Sequence, residues 1–289
     1  MDNNNPHHTP DWLKSFHWWV VSSSAGKDSQ AMLDYMVKLA DSVGFPRAQI
    51  IVLHSDLGRV EWAGTGDLAR KQAEHYGLRF EVRSQVGQIA TRGGKVYEKG
   101  AAYGDLLDYA LRRGMWPSYA QRWCTSEYKR RVFDRFYTEL ARTTERPRGS
   151  GPVRILDCQG LRAEESPARA KLETTSVRKS TRNQHVETWL PIHDWTEGQV
   201  WKRIHASGVP HHRAYDLGMP RLSCALCVLA PRRAIKLAAK HNRPLLRLYV
   251  EAEETMGHDF NAKWSMGDLE REIEAGDGGD DAPIESWNM

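Results

Sequence analysis

At 289 residues the chain is long enough for one α/β core with an appended subdomain. Its 40% hydrophobic and 27% charged residues are ordinary for a globular protein, and no apolar run approaches the roughly 20 residues of a membrane helix, which excludes a helical membrane protein. The net charge of +4 is unevenly spread: residues 122–182 hold 15 Lys/Arg against 8 Asp/Glu, and from Glu270 onward seven acidic residues face Arg271 alone.

The polar start, residues 1–5, is no signal peptide, so the expected compartment is cytoplasmic with no membrane partner. Four unevenly spaced cysteines there suit metal or redox chemistry better than a disulfide framework. The basic span 122–182 fits a nucleotide or nucleic acid, and equally a solvated helix face.

Residues 1–12 are expected to form a disordered tail. Trp18 to Ser23 reads as a buried strand. Met32, Tyr35, Met36, Leu39, Ala40 and Val43 then recur on one helical face until Gly44 and Pro46 end it. A second apolar strand runs from Gln49 to His54, followed by a helix from about Asp67 to Tyr76 and a strand around Arg79 to Val82. Glu127 to Arg142 is predicted helical and basic, Val153 to Gln159 a strand, and Lys171 to Val186, polar and aperiodic, a mobile loop. Trp195 to Ala206 is predicted helical with Thr196 as N-cap, and two helices follow Pro231 and Pro244. This alternation predicts an α/β fold with a twisted, mainly parallel, Rossmann-like sheet and helices on both faces, plus a small helical C-terminal subdomain. Ligands of such sheets collect where strands end and helices begin.

Five constellations fall on that edge or close to it. Ser22, Ser23, Ser24, Ala25, Gly26, Lys27, Asp28 and Ser29 close the first strand and open a helix. Small residues there let the backbone wrap an anion, the helix start offers N–H groups, and Lys27 adds a full charge. The spacing is not that of a Walker loop. His54, Asp56 and Gly58 follow the second strand and offer a carboxylate for ribose or a metal ion. Gly160, Arg162 and Arg169 follow the later strand, where either arginine can grip phosphate. Cys124 lies in Arg122-Trp123-Cys124-Thr125. His211-His212 and Tyr215-Asp216-Leu217-Gly218 precede Cys224-Ala225-Leu226-Cys227, a spacing able to chelate a soft ion.

In this order the five resemble the phosphoadenosine phosphosulfate (PAPS) reductase, or CysH-like, family of the PP-loop adenine nucleotide alpha-hydrolase superfamily. The likeness runs from about Trp18 to Pro231. The segment His54–Trp62 with Cys124-Thr125 looks closer to stand-alone copies on mobile elements, relatives of which accompany phosphorothioation or type IV CRISPR loci. The resemblance implies a PP-loop at residues 24–29 holding phosphate or sulfate, adenosine near His54 to Gly58, and Arg162 and Arg169 closing over the phosphates. It divides the chain into the tail 1–12, a nucleotide-binding domain 13–230, a helical extension 231–268 and an acidic flexible tail 269–289. Relatives also carry a [4Fe–4S] cluster on a Cys-Cys pair and a Cys-x-x-Cys. Here Cys124, Cys224 and Cys227 match, Thr125 stands where the fourth thiol would be, and Cys158 is the candidate replacement although its apolar strand suits an inert thiol. Zinc with His211 or His212 as fourth ligand ranks below the cluster, and an unmetallated Cys-x-x-Cys is the plain alternative.

The reductases attack sulfur with a thiolate from a C-terminal Glu-Cys-Gly-Leu-His motif, whereas this sequence has no cysteine after Cys227. The expected function is therefore binding of ATP, or a relative such as PAPS or APS, with cleavage at the α-phosphate to AMP and pyrophosphate, by hydrolysis or adenylylation of an acceptor. Lys27, Asp28 and Arg162 are the candidate catalytic residues, with Mg²⁺ held by Asp28 or Asp56. The alternatives are a true PAPS/APS reductase, and a non-catalytic accessory that binds nucleotide, nucleic acid or a ribonucleoprotein through residues 122–182. A homodimer is a further expectation.

Overall fold

The computed structural model describes residues 10–85, 88–92, 95–99, 104–147 and 149–276. In chain order come α1 (Pro10–Lys14), β1 (Trp18–Ser22), α2 (Lys27–Val43), β2 (Ile50–Asp56), α3 (Thr65–His75) and β3 (Arg79–Ser84). A hairpin of β4 (Gln88–Arg92) and β5 (Lys95–Lys99) precedes α4 (Leu106–Arg113). The short α5 (Trp123–Thr125) passes through a π-helical turn, Ser126–Arg130, into α6 (Arg131–Thr143). Then follow β6 (Val153–Cys158), α7 (Pro167–Ala170), β7 (Thr175–Ser180), β8 (Gln184–Trp189) and α8 (Glu197–Ser207). The last helices are α9 (Arg232–His241), α10 (Arg243–Met256) and α11 (Met266–Glu274).

Six strands form one sheet in the order β3-β2-β1-β6-β8-β7, parallel except for β7, which runs antiparallel to β8. Both faces are covered, as the near-continuous apolar strands require. Trp19, Val21, Ile50 and Val52 pack with Met32, Leu33 and Met36 of α2, while Val20, Ile51, Leu53 and Ile155 pack with Phe136, Tyr137 and Leu140 of α6. Each such side chain contributes about 1.5–3 kcal/mol when fully buried. The strand order reverses direction between β1 and β6, so their carboxyl ends form the crevice where ligands of open sheets bind.

Four expectations need correction. Residues 171–186 are not a mobile loop: β7 and the first half of β8 lie within them. β7 is polar because it is an edge strand, and its Arg178 reaches in to the buried Asp157 at 2.8 Å. Helix α1 takes up the end of the expected N-terminal tail, of which residues 1–9 lie outside the described residues. Helix α11, with a Ser265–Asp268 capping box, occupies the start of the expected acidic tail, whose residues 277–289 also lie outside. The expected boundary after residue 230 runs through one apolar cluster. In it Ile235, Leu246, Tyr249 and Leu269 of α9 to α11 pack with Val60, Trp62, Leu107 and Trp123. No helix among the described residues is long and apolar enough to cross a membrane.

Candidate functional site

The bend after β1 is tightly specified. Ala25 is fully buried with φ 55°, a left-handed conformation rare for a residue with a side chain. Local hydrogen bonds hold it there: the Ala25 amide donates to Ser23 Oγ (3.2 Å), the Ser24 amide to Ser29 Oγ (3.3 Å), and Ser29 Oγ to the Gly26 carbonyl (2.9 Å). Gly26 caps α2 without a side-chain acceptor, and among the described residues no acceptor takes the Asp28 or Ser29 amide. The Lys27 amide donates to Tyr215 Oη at 2.7 Å. Such a helix start is a ready site for an anion.

Gly160, at the end of β6, lies against this bend. A Cβ there would sit 3.1 Å from the Asp28 backbone, tighter than most real contacts, so a side chain would have to push the two segments apart by a few tenths of an ångström. Next to it the cations gather, though most are already engaged. Lys27, 4% exposed, donates from Nζ to the Pro220 carbonyl (2.6 Å) and lies 3.4 Å from Glu197, a half-exposed carboxylate standing where a ligand anion would balance the charge. Arg162, 2% exposed, donates to Asp28 Oδ1 (2.6 Å), Glu164 Oε2 (2.5 Å) and the Trp195 carbonyl (3.2 Å). Arg169 and Arg221 both pair with Glu165. Burial and the neighbouring Arg169 lower the Arg221 pKa.

These contacts revise several expected roles. Arg162 with Asp28 is a buried strut between β6 and α2, so Asp28 is not free to hold a metal ion. Ser22 points its hydroxyl toward Asp157 at 3.4 Å, below the bend. Five cations of the basic span, Arg131, Arg154, Arg162, Arg169 and Arg178, pair with carboxylates of the same chain.

A cavity of about 650 Å³ lies between the end of β2, the start of α3 and the α9–α10 junction. His54, Asp56 and Gly58 line it, as do Glu61 and Trp62. Gly58 has φ 77°, and a Cβ on it would strike Asp105 at 2.2 Å. His54, 1% exposed, joins cavity to bend by donating from Nδ1 to the Ser23 carbonyl at 2.9 Å. Its Nε2 lies 3.5 Å from Glu61 Oε2, too long for a good hydrogen bond. Burial opposes charging of the ring, but the Glu61 carboxylate, the Ser23 carbonyl and Asp56 outweigh it and hold His54 above its usual 6.5. A raised folded-state value makes this stabilisation complete below about pH 6.5, and it is lost as pH rises through the raised value. Melting temperatures taken from about pH 6 to 9 should therefore fall less steeply in Glu61→Gln than in the parent chain. Equal slopes would refute the pairing.

Cys124, Cys224 and Cys227 line a second, small apolar cavity beside Trp116 and Tyr249. Burial raises the Cys224 and Cys227 thiols. The fourth-ligand expectations are corrected. Cys158 is fully buried in β6 against α2 and lies in the other core cluster. His211 pairs with Asp216, and His212 bonds Thr65 and the Ala214 amide. Among the described residues no group of three or more His, Cys, Asp or Glu is arranged to hold a metal ion. Three thiols without a fourth fall short of the usual Cys₄ set of an iron–sulfur cluster.

Residues 124–230 match the family described as the phosphoadenosine phosphosulfate reductase domain, a stretch containing Gly160, Arg162, Arg169, Tyr215 and Arg221. Adenosine 5'-phosphosulfate reductase of Staphylococcus haemolyticus is 25% identical over 209 residues, 72% of this chain and 69% of that protein. The match to that domain thus covers the later part of the nucleotide-binding half of the chain, and the chain is similar over most of its length to an adenosine 5'-phosphosulfate reductase. An uncharacterized 37.8 kDa protein of Escherichia phage 186 is 30% identical over 127 residues, 43% of this chain and 35% of its own length. The crystal structure of PAPS reductase from Candida auris covers 73% of this chain, and the chain 83% of it, at 18% identity and a TM-score of 0.47.

The sequence reading missed Tyr215 and Arg221 as members of the PP-loop site, and Glu61 and Trp62 as members of the cavity. Tyr215 had a signal, since it heads the Tyr-Asp-x-Gly string. Arg221 lies only six residues beyond it.

Proposed function

We propose that this PP-loop protein binds ATP, or a close adenine nucleotide, and cleaves it at the α-phosphate. Phosphates on residues 24–29 and adenosine in the cavity beside His54 make one continuous site across the carboxyl ends of β1 and β2. The observation that carries the reading is the start of α2: amides of Asp28 and Ser29 without acceptors, at the point where the strand order reverses. The match of residues 124–230 to the phosphoadenosine phosphosulfate reductase domain, and the similarity to an adenosine 5'-phosphosulfate reductase, support the adenine nucleotide.

In the reaction an oxygen nucleophile, water or an acceptor, forms a bond to the α-phosphorus. The bond from that phosphorus to the bridging oxygen breaks, and pyrophosphate leaves with the electron pair. The protein's part is positioning and neutralisation of charge. Lys27 would exchange its Glu197 partner for the phosphates, and the helix amides would receive the leaving pyrophosphate. Mg²⁺ bound with the nucleotide would add charge neutralisation. Asp56, which lines the cavity and accepts only the Gly58 amide at 2.8 Å among the described residues, is the carboxylate fitted to hold it.

Reductive release of sulfite is disfavoured by the thiols described. The Cys224 and Cys227 thiols are raised, chiefly by burial, and are hence poor thiolates. Incubation with α-labelled ATP and Mg²⁺ should yield labelled AMP with matching pyrophosphate, or a labelled acceptor. Labelled ADP, or sulfite from APS or PAPS with thioredoxin, would replace this reading.

A further inference from the structure

The contacts of the buried Lys27 differ in tightness. Its Nζ donates to the Pro220 carbonyl at 2.6 Å, while Glu197 Oε1 stands 3.4 Å away on a side chain that is 48% exposed. The neighbouring Arg162, by comparison, holds Asp28 and Glu164 at 2.6 and 2.5 Å. Glu197 is thus a loose, solvent-facing partner among tight ones.

It is nevertheless kept in place. Glu197 is the first residue of α8, which Thr196 caps together with Gln199. Its amide donates to Glu164 Oε2 at 2.6 Å, which ties the helix start to Arg162. Trp201, one turn on, donates from Nε1 at 3.3 Å to the same Oε1 that faces Lys27. The Trp201 ring packs edge-on against Tyr215 at 5.1 Å, and Tyr215 accepts the Lys27 amide. Carboxylate and phenol therefore engage the ammonium and the first amide of α2, and the indole braces both. A phosphate at the start of α2 and the Glu197 carboxylate would be two like charges beside one buried cation, and they repel.

We infer that Glu197, held by Trp201, is an internal competitor for the anion site, a carboxylate that a bound phosphate must displace from Lys27. The inference rests on the phosphate reading of the bend above and adds a residue that sets its affinity. Apparent affinity falls by the fraction of molecules in which the lysine is released, so release in about one molecule in ten costs about tenfold. The exposed half of the carboxylate lets it swing into water with α8 intact.

The test is calorimetric titration with inorganic pyrophosphate, ATP and adenosine. Glu197→Gln keeps the shape of the side chain and removes its charge. It should bind pyrophosphate and ATP about tenfold more tightly than the parent chain. Trp201→Phe leaves both charges in place and removes only the brace, so the gain should be smaller, about threefold. Adenosine should bind the parent and both variants alike. In a Lys27→Met background the gain from Glu197→Gln should disappear, because the two residues act through one contact. Trp201→Phe stands by itself should Glu197→Gln not fold. Unchanged or weaker pyrophosphate binding in either folded variant, or an equal gain for adenosine, would overturn the competitor and leave nucleotide binding intact. No binding of ATP to the parent chain or to Glu197→Gln would overturn both.

Discussion

Lys27→Met is expected to weaken ATP binding by about 30-fold, roughly 2 kcal/mol, the scale of one hydrogen bond to a charged group. Methionine keeps the buried aliphatic stem and removes only the ammonium, which now sits between the Pro220 carbonyl and Glu197. Phosphate binding through helix amides alone would retain the remaining affinity. Calorimetric titration measures the change, and a thermal melt checks that the variant folds. Unaltered affinity in a folded variant would remove Lys27 from the phosphate site. A loss equally large for adenosine, which has no phosphate, would show that the substitution had damaged the cavity instead.

Arg178→Ala should lower stability by about 3–5 kcal/mol in denaturant unfolding. Asp157 is fully buried at the end of β6 and accepts from Arg178, Gln159 and Thr188, with Ser22 at 3.4 Å. Without the guanidinium a buried carboxylate loses its balancing charge, which is the expensive way to break such a pair. Combining the change with Asp157→Asn should recover part of the loss, because the amide carries no charge yet keeps most of the hydrogen bonds. A change below about 1 kcal/mol in Arg178→Ala would place that pair among weak surface contacts.

The parallel sheet and the PP-loop were legible because each has a local signature. Trp18-Trp19-Val20-Val21 followed by Ser24-Ala25-Gly26-Lys27 marks a buried strand running into an anion-binding bend, and the apolar face of α2 repeats at helical spacing. β7 was not legible. Its polar residues carry no period, and its place is set by a partner across the sheet, Asp157, 21 residues earlier in the case of Arg178. The commitment of Asp28 to Arg162 is equally invisible in one dimension, since 134 residues separate them. The same limit hid Tyr215, whose hydroxyl reaches the Lys27 amide across 188 residues. For Cys158 the local signal was the better guide: the resemblance makes it the candidate fourth ligand, but its apolar strand suits an inert thiol, and strand register turns it into the core with α2.

The central claim is that the bend after β1 and the cavity after β2 are two halves of one nucleotide site, and a crystal soaked with a non-hydrolysable ATP analogue and Mg²⁺ tests it most directly. The account predicts phosphates on the amides at the start of α2, Lys27 turned from Glu197 toward them, and the base beside Trp62. Phosphates bound elsewhere, or a bend still closed by Tyr215 and Glu197 with an empty cavity at saturating analogue, would contradict it.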